Sequence, residues 1–403
     1  MIIGAGQAGV QTAASLRLGG FKGNITILGD EPVLPYQRPP LSKAYLKGEM
    51  DGERLYLKPA EWYVAQNVNV QTGKRVTSVH PEKNIAITAD GEKLNFDYLV
   101  FATGSRNRPL PIKGAGLQNV FGLRTLRNVD QLRPHVGTDK NLVIIGAGYI
   151  GLETAAVARA LGAKVTVLEL ADRVLERVTS PIISTFYDGL HRSHGVDIKT
   201  STNTAKINGK NGVVDSLTLS SGLTLPCDAL LVGIGIVPNI ELAADAGIAC
   251  DDGILVDERS RTNIAHVFAA GDCAKRTILP YGHIGRLESV HNAIEQGKQV
   301  AAAILGKPLP KLDCPWFWSD QYDVKLQIAG VSTGYEEQIV RGSIKDNKFA
   351  VFYFKDKKLI AADAINSAPE FMIAKRLILD GTEIPPQLLG NNQCSLKEIV
   401  AHY

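Results

Sequence analysis

The sequence predicts an α/β protein in which one β–turn–α–β unit occurs twice, followed by a smaller α+β region. Three observations lead to this prediction. The pattern GAGQAG at residues 4–9 returns as GAGYIG at residues 146–151. Each copy opens an alanine-rich stretch of helical character, and a β-rich run ending in acidic residues follows it. From residue 315 onward the chain is rich in β-type segments.

Composition narrows the class of protein. A chain of 403 residues suggests two or three domains, and 45% hydrophobic with 21% charged residues is ordinary for a globular protein. Lys and Arg number 44 against 41 Asp and Glu, a net charge of +3, which disfavours nucleic-acid binding because no strongly basic domain stands out. A slightly basic surface still suits an acidic protein partner. No apolar run is long enough to predict a membrane-spanning helix.

The cysteines indicate the compartment. All five stand singly and form no C-x-x-C pair, which disfavours a metal site, an iron–sulfur cluster and a disulfide framework; they are Cys227, Cys250, Cys273, Cys314 and Cys394. Unpaired cysteines fit a reducing compartment, and the chain opens on MIIGAGQAG without a signal-peptide pattern. Both features favour the cytoplasm.

The repeats also set the domain boundaries. Each half closes with an apolar strand running into a glycine turn, FDYLVFATGS at 96–105 and CDALLVGIGIVPN at 227–239. A helix near 291–305 with one buried face completes the first domain after the second is inserted. We therefore predict a first domain at 1–108 and 240–314, a second at 109–239 and a third at 315–403. The third contains a hairpin turning at KDKK, residues 355–358.

A G-x-G-x-x-G pattern predicts a dinucleotide site only between a strand and a helix, with an acid about 20 residues on. The second copy meets these conditions, and Glu169 is its acid. Glu169 can accept both ribose hydroxyls and would repel a 2′-phosphate, which favours NADH over NADPH. Arg173 and Arg177 lie nearby in the sequence, and such cations would favour NADPH. In the first copy Asp30 and Glu31 are the acids, and so few residues precede Gly4 that the strand is short or the chain truncated.

Two dinucleotide sites on one chain indicate a bound flavin dinucleotide, FAD, that meets a diffusing nicotinamide. The first domain is predicted to hold FAD because FAAGDCA (268–274) supplies extra closing elements for the larger cofactor. Asp272 can accept a ribitol hydroxyl, cap a helix, or do both. The next helix begins near Glu288, Ser289 and Val290, and its positive end could face the flavin N1/O2 edge.

The motifs GAGQAG, PYQRPPLSKAYL, ATGSRNR, GAGYIGLE, LERVTSP, GIGIVPN, AAGDCA, LESVHNAIEQ and PWFWSDQ occur in this order. In this the chain resembles the oxygenase-coupled NADH-dependent ferredoxin reductases over essentially its whole length. The resemblance implies a glutathione-reductase-like fold: two Rossmann-like dinucleotide-binding domains, one for FAD and an inserted one for NAD, plus a C-terminal α+β interface domain.

Together with the glycine patterns, the resemblance implies a set of cofactor-binding residues. Those for FAD are Gly4, Gly6, Ala8, Gly9, Asp30, Glu31, Arg38, Lys43, Val76, Ala102, Thr103, Gly104, Arg124, Gly271, Asp272, Glu288, Ser289 and Val290. Those for NADH are Gly148, Tyr149, Ile150, Glu153, Glu169 and Gly235. Trp318, in PWFWSDQ, resembles the family tryptophan beside the flavin; its residue type alone indicates a core aromatic.

Lys43 and Glu153 form the predicted central pair. Lys43 ends the segment PYQRPPLSK (35–43), whose prolines preset a helix start. Glu153 is expected on the first turn of the second glycine-pattern helix. The resemblance places both near flavin N5, paired across the domain boundary, and makes Lys43, Glu153 and Trp318 the catalytic residues. The alternatives are a solvated lysine and an acid favoured by the helix dipole.

The missing cysteine indicates the electron acceptor. Disulfide reductases and peroxidases of this fold need cysteine beside the flavin, and none precedes Cys227. The resemblance implies instead single-electron transfer to a 2Fe–2S ferredoxin that feeds a monooxygenase or dioxygenase, with transient docking of this acidic partner. Arg286 is a candidate docking residue. Two alternatives remain: an NADH oxidase or other reductase of a diffusible acceptor, and an NADH-responsive flavoprotein resembling apoptosis-inducing factor.

Overall fold

The computed structural model describes residues 1–402. Strands outnumber helices, and several strands often follow one another along the chain. The strands are β1 (Ile2–Ile3), β2 (Ile25–Leu28), β3 (Val68–Gln71), β4 (Val76–His80), β5 (Ile85–Thr88), β6 (Lys93–Asn95), β7 (Leu99–Phe101), β8 (Ser105–Asn107), β9 (Val120–Phe121), β10 (Asn141–Ile145), β11 (Lys164–Leu168), β12 (Asp197–Lys199), β13 (Thr204–Lys210), β14 (Val213–Leu219), β15 (Thr224–Pro226), β16 (Ala229–Val232), β17 (Ile236–Pro238), β18 (Ile254–Leu255), β19 (Val267–Ala269), β20 (Ala274–Ile278), β21 (His283–Gly285), β22 (Trp316–Gln321), β23 (Val324–Gly330), β24 (Glu337–Ser343), β25 (Lys348–Lys355) and β26 (Lys358–Ile365).

The helices are fewer and mostly short. They are α1 (Gln7–Leu18), α2 (Ala44–Lys47), α3 (Ala60–Ala65), α4 (Leu126–Leu132), α5 (Tyr149–Ala160), α6 (Pro181–Ser193), α7 (Glu241–Asp245), α8 (Val290–Ile304), α9 (Ala368–Asp380), α10 (Pro386–Gly390) and α11 (Leu396–His402). Single turns of 3-10 helix lie at Pro39–Ser42, Gly52–Leu55, Pro81–Lys83 and Arg133–His135. The helix predicted near 291–305 is thus confirmed as α8.

The chain divides into two compact units. The first unit contains Met1–Gln37, Glu53–Arg106 and Val237–Asp313. The second unit contains Arg38–Gly52, Asn107–Ile236 and Cys314–Tyr403, so it carries the end of the PYQRPPLSK segment. The division into three domains made from the sequence stays a prediction.

A five-stranded parallel sheet forms the centre of the first unit, in the order β19-β7-β1-β2-β3. Strands β19, β7 and β1 are short apolar runs that are fully buried, as is typical of a parallel sheet, whereas the edge strand β3 carries the exposed Asn69. The first strand is only two residues long, yet it pairs with β2 on one side and β7 on the other. Helix α1 packs against α8, where Gly297 lies so close to Gln11 that a Cβ there would sit 2.9 Å from the Gln11 Cβ.

The second unit repeats this plan. Its parallel sheet has the order β12-β11-β10-β16-β9, and α5 follows β10 as α1 follows β1. Strand β10 is nearly all buried because Leu142, Val143 and Ile144 are apolar at consecutive positions. The two-copy α/β plan predicted from the glycine repeats is confirmed.

The last region of the second unit is an antiparallel sheet in the order β22-β23-β26-β25-β24. Strands β25 and β26 form the predicted hairpin, with Asp356 and Lys357 at its turn in the left-handed conformation. Helix α9 packs against β26 and β23, and α5 packs against β22. The C-terminal α+β region is therefore confirmed.

Within residues 1–402, no helix combines the length and the apolar character needed to cross a membrane.

Candidate functional site

The first glycine pattern connects β1 to α1 and leaves open space at its middle glycine. Gly4 has φ +117°, and a Cβ there would lie 2.0 Å from the Ala102 carbonyl oxygen. A Cβ at Gly9 would lie 2.2 Å from the Gly4 oxygen, so this glycine allows the helix to pack on the loop. At Gly6 no atom lies within 4 Å of the Cβ position. The outer glycines thus serve the fold, and the middle one faces room for a ligand.

The second glycine pattern has the same division of roles. Gly146 has φ +104° and would place a Cβ 2.4 Å from the Gly233 oxygen. A Cβ at Gly151 would lie 2.1 Å from the Gly146 oxygen, whereas the position at Gly148 is open. Both helices begin with uncapped backbone N–H groups and no acid in the first turn. Such a helix start suits the pyrophosphate of a dinucleotide, so the predicted cofactors fit both loops.

The remaining first-unit candidates lie at the carboxyl ends of the parallel strands or beside them. Beyond β2, Asp30 is exposed, and Glu31 accepts a hydrogen bond from the Tyr36 hydroxyl at 2.6 Å. Beyond β7, the Thr103 hydroxyl donates to the Asn239 carbonyl at 2.7 Å. The other members of the set are held by their backbone or by packing; they are Ala8 and Ala102, both buried in the sheet core, Gly104 with φ +62°, and Val76, buried at the start of β4.

Asp272 follows β19 at the same edge of the sheet. Its carboxylate accepts a hydrogen bond from Ser105 Oγ at 2.8 Å. The preceding Gly271 has φ +86°, and its N–H donates to the buried side chain of Gln296 at 2.7 Å. Gln296 of helix α8 therefore holds the turn that carries Asp272, and this contact fixes the position of the Asp272 carboxylate.

Helix α8 begins where the sequence predicted. Ser289 is its N-cap and accepts a hydrogen bond from the Asn292 N–H at 3.0 Å, and Val290 is the first helical residue. Arg286 bonds Glu288 at 2.6 Å and the Asp272 carbonyl at 3.2 Å, and its side chain is only 12% exposed. These internal contacts make Arg286 a weaker docking candidate than the sequence suggested.

Glu169 closes the second glycine loop. It accepts hydrogen bonds from the Ala147 N–H at 2.7 Å and the Ala171 N–H at 2.9 Å. Arg173 is engaged elsewhere, since its guanidinium donates to the Thr179 and Glu176 carbonyls at 2.9 Å each. Of the two arginines that favoured NADPH, Arg173 thus already bonds backbone carbonyls of the protein itself.

Arg177 is the other such arginine, and it lies beside Gly235. A Cβ on Gly235 would come within 3.4 Å of the Arg177 guanidinium. Gly235, predicted to contact NADH, has φ +104° and accepts a backbone hydrogen bond from Arg108 at 2.9 Å. Arg177 is consequently the cation that an anionic ligand at this turn would meet.

The predicted Lys43–Glu153 pair is present. Lys43 Nζ lies 2.6 Å from Glu153 Oε2, and Glu153 is only 2% exposed. Ser42 Oγ donates to the same oxygen at 2.5 Å, and Ser319 Oγ donates to Oε1 at 2.6 Å. Lys43 is 20% exposed and also donates to the Pro39 carbonyl at 3.2 Å. A buried carboxylate with three donors is stable where an unpaired one would be costly.

Two details of this pair differ from the sequence prediction. Glu153 is the fifth residue of α5 and not part of its first turn, so it lies one turn deeper in the helix. A first-turn acid favoured by the helix dipole is therefore wrong as an explanation. Lys43 and Glu153 also belong to the same compact unit, because the segment Arg38–Gly52 is grouped with the residues around α5.

The other second-unit candidates are Arg38, Arg124, Tyr149 and Ile150. Arg38 donates to the Arg124 carbonyl at 2.5 Å. Tyr149 packs its ring on Phe317 with centroids 4.8 Å apart, and burial raises the pKa of its unpartnered hydroxyl well above the ordinary value. Ile150 is 41% exposed, unusual for an isoleucine at a helix start.

Trp318 lies on β22 directly before Ser319. Side chains alternate along a strand, so Trp318 lies on the face opposite the serine that bonds Glu153. Its ring is half-buried and lies 5.4 Å from that of Trp316 and 6.4 Å from that of Phe317. It is thus part of an aromatic cluster that retains a solvent-facing edge.

All five cysteines are free thiols. Burial raises the pKa of Cys227 to about 12 and also raises the pKa of Cys273, which makes both poor nucleophiles. Cys273, beside Asp272, is fully buried in the apolar core, as expected of a small packing residue. Among residues 1–402, no cluster of His, Cys, Asp and Glu has the arrangement of a metal site.

Sequence reasoning missed four residues that position the candidates: Ser42, Ser105, Gln296 and Ser319. Each is a common polar residue whose role depends on a contact distant in the chain. The available signal was their position inside the quoted motifs: Ser42 lies in PYQRPPLSKAYL, Ser105 in ATGSRNR, Gln296 in LESVHNAIEQ and Ser319 in PWFWSDQ.

Comparison with known proteins supplies the family. The family model described as pyridine nucleotide-disulphide oxidoreductase matches residues 1–297, and the model described as reductase C-terminal matches residues 316–400. Putidaredoxin reductase CamA of Pseudomonas putida is 43% identical over 100% of this chain and 96% of its own length. Rhodocoxin reductase of Rhodococcus erythropolis is 41% identical over 100% of this chain and 94% of its own length.

A solved structure gives the same answer. The covalent putidaredoxin reductase–putidaredoxin complex contains a chain that superposes with a TM-score of 0.97 at 43% identity, covering 100% of this chain and 97% of that one. The likeness extends over both glycine patterns and the C-terminal sheet, so the glutathione-reductase-like fold class is confirmed, and FAD and NAD(P)H are the cofactors of this family. The chain belongs to the pyridine nucleotide-disulphide oxidoreductase family and, within it, to the ferredoxin reductases that carry the reductase C-terminal region.

Proposed function

We propose that this protein is an FAD-dependent NADH:ferredoxin reductase. It would deliver electrons to a 2Fe–2S ferredoxin that serves a cytochrome P450-type monooxygenase or a ring-hydroxylating dioxygenase. The observation that carries the proposal is the pair of glycine loops that each leave the middle position, Gly6 and Gly148, open to a ligand. Two nucleotide cradles on one chain suit an enzyme in which a nicotinamide meets a flavin.

The protein's own contribution is position and charge. FAD, when bound, supplies the hydride acceptor and the means of releasing electrons singly. The first glycine loop and Asp272 are proposed to hold its pyrophosphate and ribitol, as the resemblance implies. Lys43 and Glu153 are proposed to lie near flavin N5, where a pinned ion pair fixes the local charge without donating or accepting a proton. No side chain need act as a base, because hydride transfer leaves no proton to remove.

The positions and burial of the cysteines bear on the choice of electron acceptor. No cysteine occurs before Cys227 in the chain, and burial disfavours the thiolate of Cys227 and of Cys273. A dithiol or a lone redox cysteine is therefore a poor explanation for where the electrons go. Putidaredoxin and rhodocoxin appear in the names of the two relatives, and we propose a partner of the same kind for this chain.

NADH is proposed as the donor in preference to NADPH. The fixed Glu169 carboxylate would repel a 2′-phosphate, and Arg173 is occupied by backbone carbonyls. We further propose a cytoplasmic location, since five free thiols suit a reducing compartment.

The test is a steady-state assay of the purified holoprotein. NADH consumption is followed with a set of 2Fe–2S ferredoxins, with a rubredoxin, and in air without any protein acceptor, and each measurement is repeated with NADPH. The proposal predicts that a 2Fe–2S ferredoxin raises turnover at least about tenfold over air alone, a difference of about 1.4 kcal/mol in the barrier. Equal turnover in air with and without ferredoxin would instead identify an NADH oxidase. Slow reduction accompanied by dimerisation would favour an NADH-responsive switch protein.

A further inference from the structure

Glu153 lies at the end of a continuous line of hydrogen bonds. Ser319 Oγ, which donates to Glu153, accepts from Gln321 Nε2 at 3.1 Å. Gln321 Oε1 lies 2.8 Å from His191 Nε2, and His191 Nδ1 lies 3.2 Å from the Tyr322 hydroxyl. The line ends at the surface, where the Tyr322 ring stacks on His194 with centroids 3.7 Å apart.

The interior members of this line are exceptionally well buried. Glu153 is 2% exposed, Gln321 1%, and Ser319 and His191 0%. Each polar group so deep in a protein needs a partner, and each finds it in the next member of the line. Four polar side chains from α5, α6 and β22 would be replaced more cheaply by apolar ones if packing were their only role.

The contacts assign one consistent direction to the protons along the line. Burial lowers the pKa of His191 to about 4, so its ring is neutral at pH 7 and carries one N–H. The 2.6 Å contact between Ser319 and the Glu153 carboxylate requires the serine proton, so Ser319 must accept from Gln321 through the amide N–H. Gln321 Oε1 then needs a donor, which places the His191 proton on Nε2 and leaves Nδ1 to accept from Tyr322. All the donors point toward Glu153.

We propose that Ser319, Gln321 and His191 form a positioning relay for Glu153. The relay holds the carboxylate in the single orientation that also accepts from Ser42 and pairs with Lys43, and it ties that orientation to α6 and the β22–β23 turn. The amide of Gln321 cannot pass a proton on readily, so the relay orients and polarises and does not conduct. The proposal rests on the proposed function only in placing Lys43 and Glu153 where NADH reduces FAD.

The first arm of the test does not use activity. Selective 15N labelling of the eight histidines and long-range NMR would report the His191 tautomer, with assignment from His191→Gln. The relay predicts a neutral ring protonated at Nε2 at pH 7, and a shift of that N–H resonance in Glu153→Gln, although Gln321 and Ser319 separate the two residues. A ring protonated at Nδ1, or a His191 signal unchanged by Glu153→Gln, would overturn the proposal.

The second arm measures reduction of the FAD holoprotein by NADH in a single turnover. Gln321→Met keeps the side-chain length and removes both hydrogen bonds; we expect the limiting rate to fall about fivefold, the size of one net hydrogen bond, with the Kd for NADH unchanged. In a Glu153→Gln background the same substitution should cause no further loss. Equal losses in both backgrounds would show a structural effect unrelated to Glu153 and would refute the relay.

Matched variants complete the design. Asp320→Asn alters the neighbouring strand residue, on the opposite face, and should behave as the wild type. His191→Gln keeps an amide donor near the Nε2 position and should recover most of the rate lost in His191→Leu. If Gln321→Met does not retain FAD, the comparison of these two His191 variants tests the relay in its place. If NADH did not reduce the FAD of the wild-type protein, the proposed function would be contradicted. The NMR measurement would still test the relay, because it does not depend on activity.

Discussion

At the scale of single residues, the Lys43–Glu153 contact stands out because one of its two charged groups is almost fully buried. A half-exposed surface pair contributes little, because water already solvates both charges. Glu153 is 2% exposed, so the loss of its cation leaves a buried carboxylate with only the Ser42 and Ser319 hydroxyls as donors. The pair therefore contributes more to holding the Glu153 side chain in place than to net stability.

Replacing Lys43 by Met tests this contribution. The variant keeps the apolar stem and loses the charge, and we expect a loss of about 2–3 kcal/mol in stability together with slower FAD reduction by NADH. Lys47→Met is the matched control, because Lys47 pairs with Glu49 at 2.5 Å with both side chains well exposed, and should cost at most about 0.5 kcal/mol. Thermal unfolding and stopped-flow reduction give the two readouts. Equal stability and equal rates of FAD reduction in the two variants would show that Lys43 has no special role.

Replacing Glu169 by Gln tests the choice of nicotinamide. The amide keeps an acceptor oxygen for one of the two backbone N–H donors, loses the other hydrogen bond, and removes the negative charge that opposes a 2′-phosphate. We expect the ratio of kcat/KM for NADPH to that for NADH to rise about tenfold, which corresponds to a like-charge penalty of about 1.4 kcal/mol. Arg173→Gln serves as the control and should leave the ratio unchanged, since that guanidinium already bonds the protein backbone. A ratio unaffected by Glu169→Gln contradicts the assignment.

At the scale of secondary-structure elements, a buried acid joins the C-terminal hairpin to helix α6. Asp363, on β26, accepts from the Tyr353 hydroxyl at 2.7 Å, and Tyr353 bonds Ser180, the N-cap of α6, at 2.9 Å. Burial raises the pKa of Asp363 to about 7 from its ordinary 3.8. The native protein thus holds this proton at pH values where the unfolded chain has released it.

The raised pKa of Asp363 sets the direction in which stability changes with pH. A raised native pKa contributes stability that is complete below about pH 4 and is lost as the pH rises through about 7. Asp363→Asn removes this titration, so its melting temperature relative to wild type should rise between pH 5 and pH 8. Calorimetry of the holoprotein across that range is the measurement, and Asp356→Asn at the exposed hairpin turn is the control. Parallel profiles for Asp363→Asn and wild type would contradict a buried, protonated Asp363.

The elements also show what a sequence can and cannot predict. The glycine loops, helix α8 and the β25–β26 hairpin were predicted because their signals are local: spacing, periodicity and turn residues. The two serine partners of Glu153 were not, since Ser42 and Ser319 lie far from it in the chain and a serine residue by itself does not indicate its contacts. Glu153 lies just beyond the first turn where the sequence placed it, because a glycine pattern marks where a helix begins only to within a few residues.

At the scale of the whole molecule, the net charge of +3 indicates a weak overall field. Transient docking of an acidic ferredoxin would depend on local cations and would weaken as salt screens them. We expect kcat/KM for the ferredoxin to fall several-fold above about 0.1 M salt, while FAD reduction by NADH alone stays constant. A salt-independent rate of ferredoxin reduction would show that docking is not electrostatic.

The central claim is that electrons leave the flavin one at a time to a ferredoxin, without a thiol on the way. The most direct measurement is anaerobic: the holoprotein, alkylated at its accessible cysteines, receives one equivalent of NADH and then excess oxidised 2Fe–2S ferredoxin. We expect two ferredoxins to be reduced per NADH, with the same yield and rate as in the unmodified protein. Loss of ferredoxin reduction on alkylation, or electrons retained by the protein in place of the ferredoxin, would contradict it.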